Sequence, residues 1–131
     1  MNVKGFDIDG VIHLGEYGVA IHPGPQDVII SGRSFEEEKE TIAFLRKNNI
    51  PNTVFFNQRP FEEKTRRTSG SHKARTIFKL KEMGLNVSIF FEDDPIQVDE
   101  IRKLCPWVKI VHVDHELTEK ENVRHLESLD V

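Results

Sequence analysis

Two carboxylates flank a single isoleucine in FDIDGVIHLGE, residues 6–16, and a glycine follows the second. Asp7 and Asp9 at this spacing suit three roles. They could ligate calcium, act as a nucleophile and its proton shuttle at a strand end, or make a plain turn. Three further polar groups share the chain: Ser31-Gly32-Arg33, the stretch SGSHKAR around Lys73, and Glu92-Asp93-Asp94-Pro95. The calcium reading places Asp7, Asp9, Gly10 and Glu16 at EF-hand loop spacing. It fails because Gly5 stands at the first ligand position, and the four residues before it cannot form an entering helix.

The elements that must position these residues follow from the apolar pattern. Strand-like runs occur at 3–8, 27–31, 52–57, 86–91 and 108–113. Helical spacing follows Ser34, which forms a capping box with Glu37. A second helix is predicted over 71–84, with Ser71 as N-cap and Gly84 as its stop. A third follows Pro95, and a last one covers roughly 116–129. Residues 10–25 are rich in glycine and proline and read as a hairpin or flap with Glu16 at its tip. Near-continuous Val, Ile and Phe strands alternating with helices predict an α/β fold, an open doubly wound parallel sheet of about five strands. In such folds ligands bind beyond the carboxyl ends of the strands, where each polar group above falls. Four or more carboxylates from two strands would then converge and repel unless a cation or protons neutralise them, and hard oxygen donors favour Mg²⁺. Acids after strands also serve simply as helix N-caps, and EDDP fits that role as well.

Length and composition set outer bounds. The chain has 131 residues, 37% hydrophobic and 31% charged, which suits one domain spanning 1–131 with its own core. A single cysteine, Cys105, excludes an internal disulfide, fits a reducing cytoplasmic setting, and reads as a buried structural thiol. No run approaches the ~18 apolar residues of a membrane helix, so no membrane partner is expected. The net charge of −4 argues against a surface that binds nucleic acid throughout, but not against local patches.

DIDG after the first strand, SGR after the second, the lysine of SGSHKAR and FFEDDP after a later strand together resemble the haloacid dehalogenase superfamily phosphatases. The motifs stand in that family's order across residues 6–95. The resemblance implies Asp7 as nucleophile and Asp9 as general acid and base. It implies Ser31 as a ligand of the transferring phosphoryl group and Lys73 as the cation that steadies nucleophile and phosphate. It places Mg²⁺ on Asp7, Asp9 (through its carbonyl), Asp93 and Asp94. An aspartate at position 9 also separates phosphatases from dehalogenases and transport ATPases in that family. Only seventeen residues separate Asp9 from Asp27, and about fifteen lie between the third strand and Lys73, so the resemblance is to a minimal member with no cap domain. SGR, the Gln58-Arg59 pair, the basic loop and the paired aspartates also carry a looser likeness to the phosphatase domains of phage polynucleotide kinase–phosphatases. That likeness implies a nucleotide or a nucleic-acid 3′-phosphate end as substrate; Ser31, Gly32, Arg33 and Arg59, at the strand ends, are the candidate substrate contacts.

The other residues leave choices open. Lys64, Arg66, Arg67, His72, Lys73 and Arg75 form a basic run that suits either a phosphate contact or a solvated loop balanced by Glu62 and Glu63. Arg33 suits a substrate contact or a salt bridge to Glu36 or Glu37. Lys73 is favoured over Lys79 and Lys81 because it falls at the start of the predicted helix. His13, His22, His112, His115 and His125 show no metal spacing, and Trp107 reads as packing. The expected function is Mg²⁺-dependent phosphomonoester hydrolysis. The alternative is an idle phosphate- or nucleotide-binding module on the same fold.

Overall fold

A computed structural model describes residues 1–115. Five strands form one sheet, β1 (Asn2–Phe6), β2 (Val28–Ser34), β3 (Val54–Asn57), β4 (Asn86–Glu92) and β5 (Lys109–His112), in the order β3-β2-β1-β4-β5. All four pairings are parallel. Three helices connect them: α1 (Glu38–Lys47), α2 (Arg66–Glu82) and α3 (Pro95–Leu104). This is the open α/β sheet that the alternating runs predict. The expected helix at 116–129, and His125 with it, lie outside the described residues.

The sheet divides the core in two because strand side chains alternate between faces. Val3, Val28, Ile30, Val87 and Phe90 pack with Ala74, Ile77 and Leu80 of α2 and Ile101 of α3. Phe6, Ile8 and Ile29 face the other way, onto Leu45 of α1 and Ile50. Val87 and Phe90 share a face despite their odd separation. The register slips between them, with Val3 opposite Val87 but Lys4 opposite Ile89, so one extra residue restores parity. Gly5 of β1 lies under the Phe90 ring, which a Cβ would meet at 2.6 Å.

Three boundaries differ from the sequence reading. β2 continues through Ser31-Gly32-Arg33 to Ser34 instead of ending at residue 31. A 3₁₀ turn, Phe35–Glu37, carries the Ser34–Glu37 capping box before α1 begins. Most consequentially, α2 starts at Arg66 rather than near Ser71. Its N-cap is Thr65, whose hydroxyl accepts from Thr68 N–H at 3.0 Å while the Thr68 hydroxyl accepts from Thr65 N–H at 2.8 Å. Lys73 is therefore the eighth residue of α2, in its interior.

The intervals that could hold inserted domains are short. Residues 12–20 form a small hairpin, with Ala20 N–H on the Ile12 carbonyl, Leu14 N–H on the Gly18 carbonyl, and Gly15–Tyr17 at the tip. Only Gln58–Thr65 lie between β3 and α2. No helix among the described residues is long and apolar enough to cross a membrane.

Candidate functional site

The central strand delivers the first acid. β1 ends at Phe6, and Asp7 N–H still reaches the Phe91 carbonyl of β4 at 3.1 Å. The chain then winds tightly around one oxygen: the N–H groups of Val11, Ile12 and His13 all donate to the Ile8 carbonyl. Gly10 makes the bend at φ +83°, and a Cβ there would stand 2.0 Å from Asp93 Oδ2. Both the conformation and the close approach require glycine. With the strand ended at Phe6, Asp7 and Asp9 meet different partners, Lys73 and Arg33.

Asp7 is fully buried and faces Lys73, whose Nζ lies 3.0 Å from its Oδ1. Lys73 comes down from the interior of α2, also fully buried, and places the same nitrogen 2.6 Å from Glu92 Oε1. Carboxylate oxygens of Asp7, Glu92 and Asp93 all lie within 4.8 Å of one another. These three carboxylates and the Lys73 ammonium sum to a formal −2 out of contact with water. A cation or protons could relieve that concentration of charge, and an all-oxygen donor set could hold a hard divalent ion.

Asp94, expected with Asp93 at the metal, is not among the three carboxylates that this cluster brings together. Glu92 stands in its place. Asp94 is the N-cap of α3, accepting from Ile96 N–H at 3.0 Å and from Gln97 Nε2 at 3.1 Å. Arg66 also binds it with two nitrogens, Nε at 2.8 Å and Nη2 at 2.5 Å. Burial alone would raise its pKa, but Arg66 and the helix-start donors outweigh burial and hold it below the ordinary 3.8. So the N-cap reading holds for the second aspartate of EDDP.

Asp9 meets Arg33, which is a third partner beyond the substrate and the Glu36 or Glu37 considered from sequence. Arg33 Nε reaches Asp9 Oδ2 at 2.9 Å and Nη2 reaches Oδ1 at 2.7 Å, while Nη1 donates to Thr41 of α1 at 3.1 Å. Burial pushes the Asp9 carboxyl up, and the paired guanidinium bonds and charge more than reverse this, leaving it below 3.8. Ser31 is buried beside this pair, and its Oγ accepts from Arg33 N–H at 3.0 Å. Gly32, also buried, completes the segment.

No family model, curated protein or solved structure matches the chain.

The basic run is mostly internal wiring. Lys64 is fully buried with its Nζ 3.1 Å from Glu37, which also accepts Ser34 N–H at 2.8 Å. Arg66 serves Asp94, and Arg67 lies 3.5 Å from Glu100. His72 is kept neutral. Burial drives its pKa down to about 4 against the pull of its contact with the Phe55 carbonyl. Partners of Lys64, Arg66 and Arg67 thus include Glu37, Asp94 and Glu100, distant in sequence, which no local reading could show. Arg59 is exposed; its carbonyl accepts from Ser34 Oγ at 2.7 Å. Its side chain lines a surface depression of about 750 Å³ with Asn57, Gln58, Arg67, Arg75 and Lys79, and the acidic cluster takes no part in that lining.

The sequence reading thus placed Glu92 among the acids at a strand end but gave it no role, and missed Thr65 as the cap of α2. The signal for Glu92 was present. It directly precedes Asp93 in an apolar strand, so only the position of the strand end decides which acids face Asp7. His115 gains a place as well, with Nε2 2.8 Å from the Gly10 carbonyl and 3.8 Å from Asp93 Oδ2.

Proposed function

We propose that the chain is a Mg²⁺-dependent phosphomonoester hydrolase of haloacid dehalogenase type, working through an aspartyl-phosphate. One observation carries the reading. A buried aspartate at the carboxyl end of the central strand pairs with a buried lysine, within a cluster of carboxylates from the neighbouring strand. Such a set is costly to bury for structure alone, and it suits transfer of an anionic group to an anionic nucleophile.

The steps follow from the residues. Asp7 attacks phosphorus in line, and the ester P–O bond breaks. Asp9, once Arg33 has left it, takes up a proton from solvent and gives it to the leaving oxygen. A water then attacks the aspartyl-phosphate, losing a proton to Asp9, and releases inorganic phosphate with Asp7 restored. Lys73 offsets charge on Asp7 and the phosphoryl oxygens, while Ser31 and the Gly32 N–H bind those oxygens. Mg²⁺, held within the set Asp7, Glu92 and Asp93, would supply the remaining positive charge when bound. Arg33 leaves Asp9 for the substrate phosphate, a bidentate acceptor of the same kind. A nucleotide or a nucleic-acid 3′-phosphate end is the preferred substrate class.

The Asp9–Arg33 pair favours one second reading, a phosphate- or nucleotide-binding module without turnover, since it holds Asp9 in its charged form. A panel of mononucleotides, 3′- and 5′-phosphorylated oligonucleotides, sugar phosphates and a chromogenic phosphomonoester separates the two. With Mg²⁺ the protein should release phosphate, and Asp7→Asn should lose at least about a thousandfold in rate. A wild type as inactive as Asp7→Asn across the panel would leave the binding module standing.

A further inference from the structure

We infer that Glu92 is a positioning residue for Lys73, leaving Asp7 and Asp93 as the carboxylates that face a cation. This narrows the proposed function and rests on its reading of Asp7 as a nucleophile beside a metal. Both oxygens of Glu92 are engaged by the protein. Oε1 takes Lys73 Nζ at 2.6 Å, closer than the 3.0 Å between that nitrogen and Asp7. Oε2 accepts the backbone N–H groups of Asp93 and Asp94 at 3.1 and 3.3 Å. Those two N–H groups lie where the chain leaves β4 for α3, so the rigid end of the sheet fixes the carboxylate's direction.

Lys73 needs such a partner. It projects from the interior of α2, so no helix terminus steers it, and its four-carbon stem has many rotamers. Glu92 and Asp7 together hold Nζ between β1 and β4. Sharing the ammonium also leaves Asp7 less fully neutralised than an exclusive ion pair would, as a nucleophile requires. Asp93 is placed differently. Its Oδ2 lies against Gly10, beyond the end of β1, and His115 Nε2 stands 3.8 Å from it.

Mn²⁺ titration followed by electron paramagnetic resonance tests the assignment without need of activity. Glu92→Gln alone removes a negative charge and should weaken Mn²⁺ about tenfold, while Lys73→Met removes a positive charge and should tighten it. In the double variant Glu92→Gln/Lys73→Met the charges cancel, and affinity should return to within about threefold of wild type. The charge-matched pair Asp93→Asn/Lys73→Met deletes a ligand instead and should stay at least about tenfold weak. A Glu92→Gln/Lys73→Met protein as weak as that pair overturns the inference, as does a wild type that binds no Mn²⁺. Should a variant fail to fold, anomalous scattering from Mn²⁺ in wild-type crystals decides, and a Glu92 oxygen within about 2.5 Å of the ion sinks the assignment. A wild type that binds Mn²⁺ as expected yet hydrolyses no phosphomonoester removes the hydrolase and leaves the role of Glu92 intact.

Discussion

Asp9, Asp94 and His72 each have a proton affinity below that of the unfolded chain, for different reasons. For Asp9 and Asp94, burial works the other way and is outweighed by Arg33 and Arg66. For His72, burial itself is the main cause, taking the imidazole to about 4. The unfolded state therefore binds more protons in each case, so stability rises with pH through each window. The His72 contribution is complete above its unfolded value of roughly 6.5 and is lost as pH falls toward about 4. The two aspartates add a further loss as pH falls below their unfolded value of roughly 3.9. Urea midpoints should thus drop between pH 7 and 4.5, and His72→Gln should flatten that limb while leaving the loss below pH 4. An equally steep drop in His72→Gln would show that another group titrates there. Arg66→Met should cost about 3 kcal/mol at pH 7, because it strands the fully buried Asp94 carboxylate without its ion partner.

Helix α2 spans the face of the sheet and carries both Lys73 and the partner of Asp94, so its seat on α3 matters for the site. Gly70 sets that seat. A Cβ on it would stand 2.8 Å from Glu100 Cβ and 2.9 Å from Gln97 Cα. Neither atom is the end of a flexible chain, so α3 would have to move. Gly70→Ala gains about 1 kcal/mol of helix propensity, but the overpacking should outweigh it and destabilise by roughly 1–3 kcal/mol. A midpoint in urea at or above wild type would refute the close-packing account. The same glycine explains why the start of α2 was hard to read. Thr65-Arg66-Arg67-Thr68-Ser69-Gly70 looks like a loop by composition, and its glycine makes sense only against α3, about thirty residues on in the chain. The strands and α3 were legible because their signals are local: apolar runs, and Asp94 with Pro95 at a helix start. Among the site residues, Asp7, Lys73 and Asp93 could be named and are brought together. Asp94 caps α3 while Glu92 joins the cluster, because β4 runs through Glu92, and a shift of one residue at a strand end exchanges which acids face the neighbouring strand.

At the scale of the whole molecule, a chain of net charge −4 places three carboxylates against one lysine at the centre of its sheet. The folded protein bears that repulsion, whereas the unfolded chain disperses it, so a cation that binds the cluster must stabilise the fold. The gain is RT ln(1 + [Mg²⁺]/Kd), about 2.7 kcal/mol when free Mg²⁺ is a hundredfold above Kd. For a domain of this size that raises the thermal midpoint by roughly 10 °C. Net charge alone would give any salt a small effect, so the comparison must be made against NaCl of equal ionic strength, with EDTA as the metal-free reference. Asp93→Asn should act in two directions at once. Without metal it should melt above wild type, since one of the crowded charges is gone. With Mg²⁺ it should show little further rise, since an oxygen ligand has become an amide. If Mg²⁺ stabilises Asp93→Asn as much as it does wild type, the ion acts on the general surface charge, and the acidic cluster is not its site.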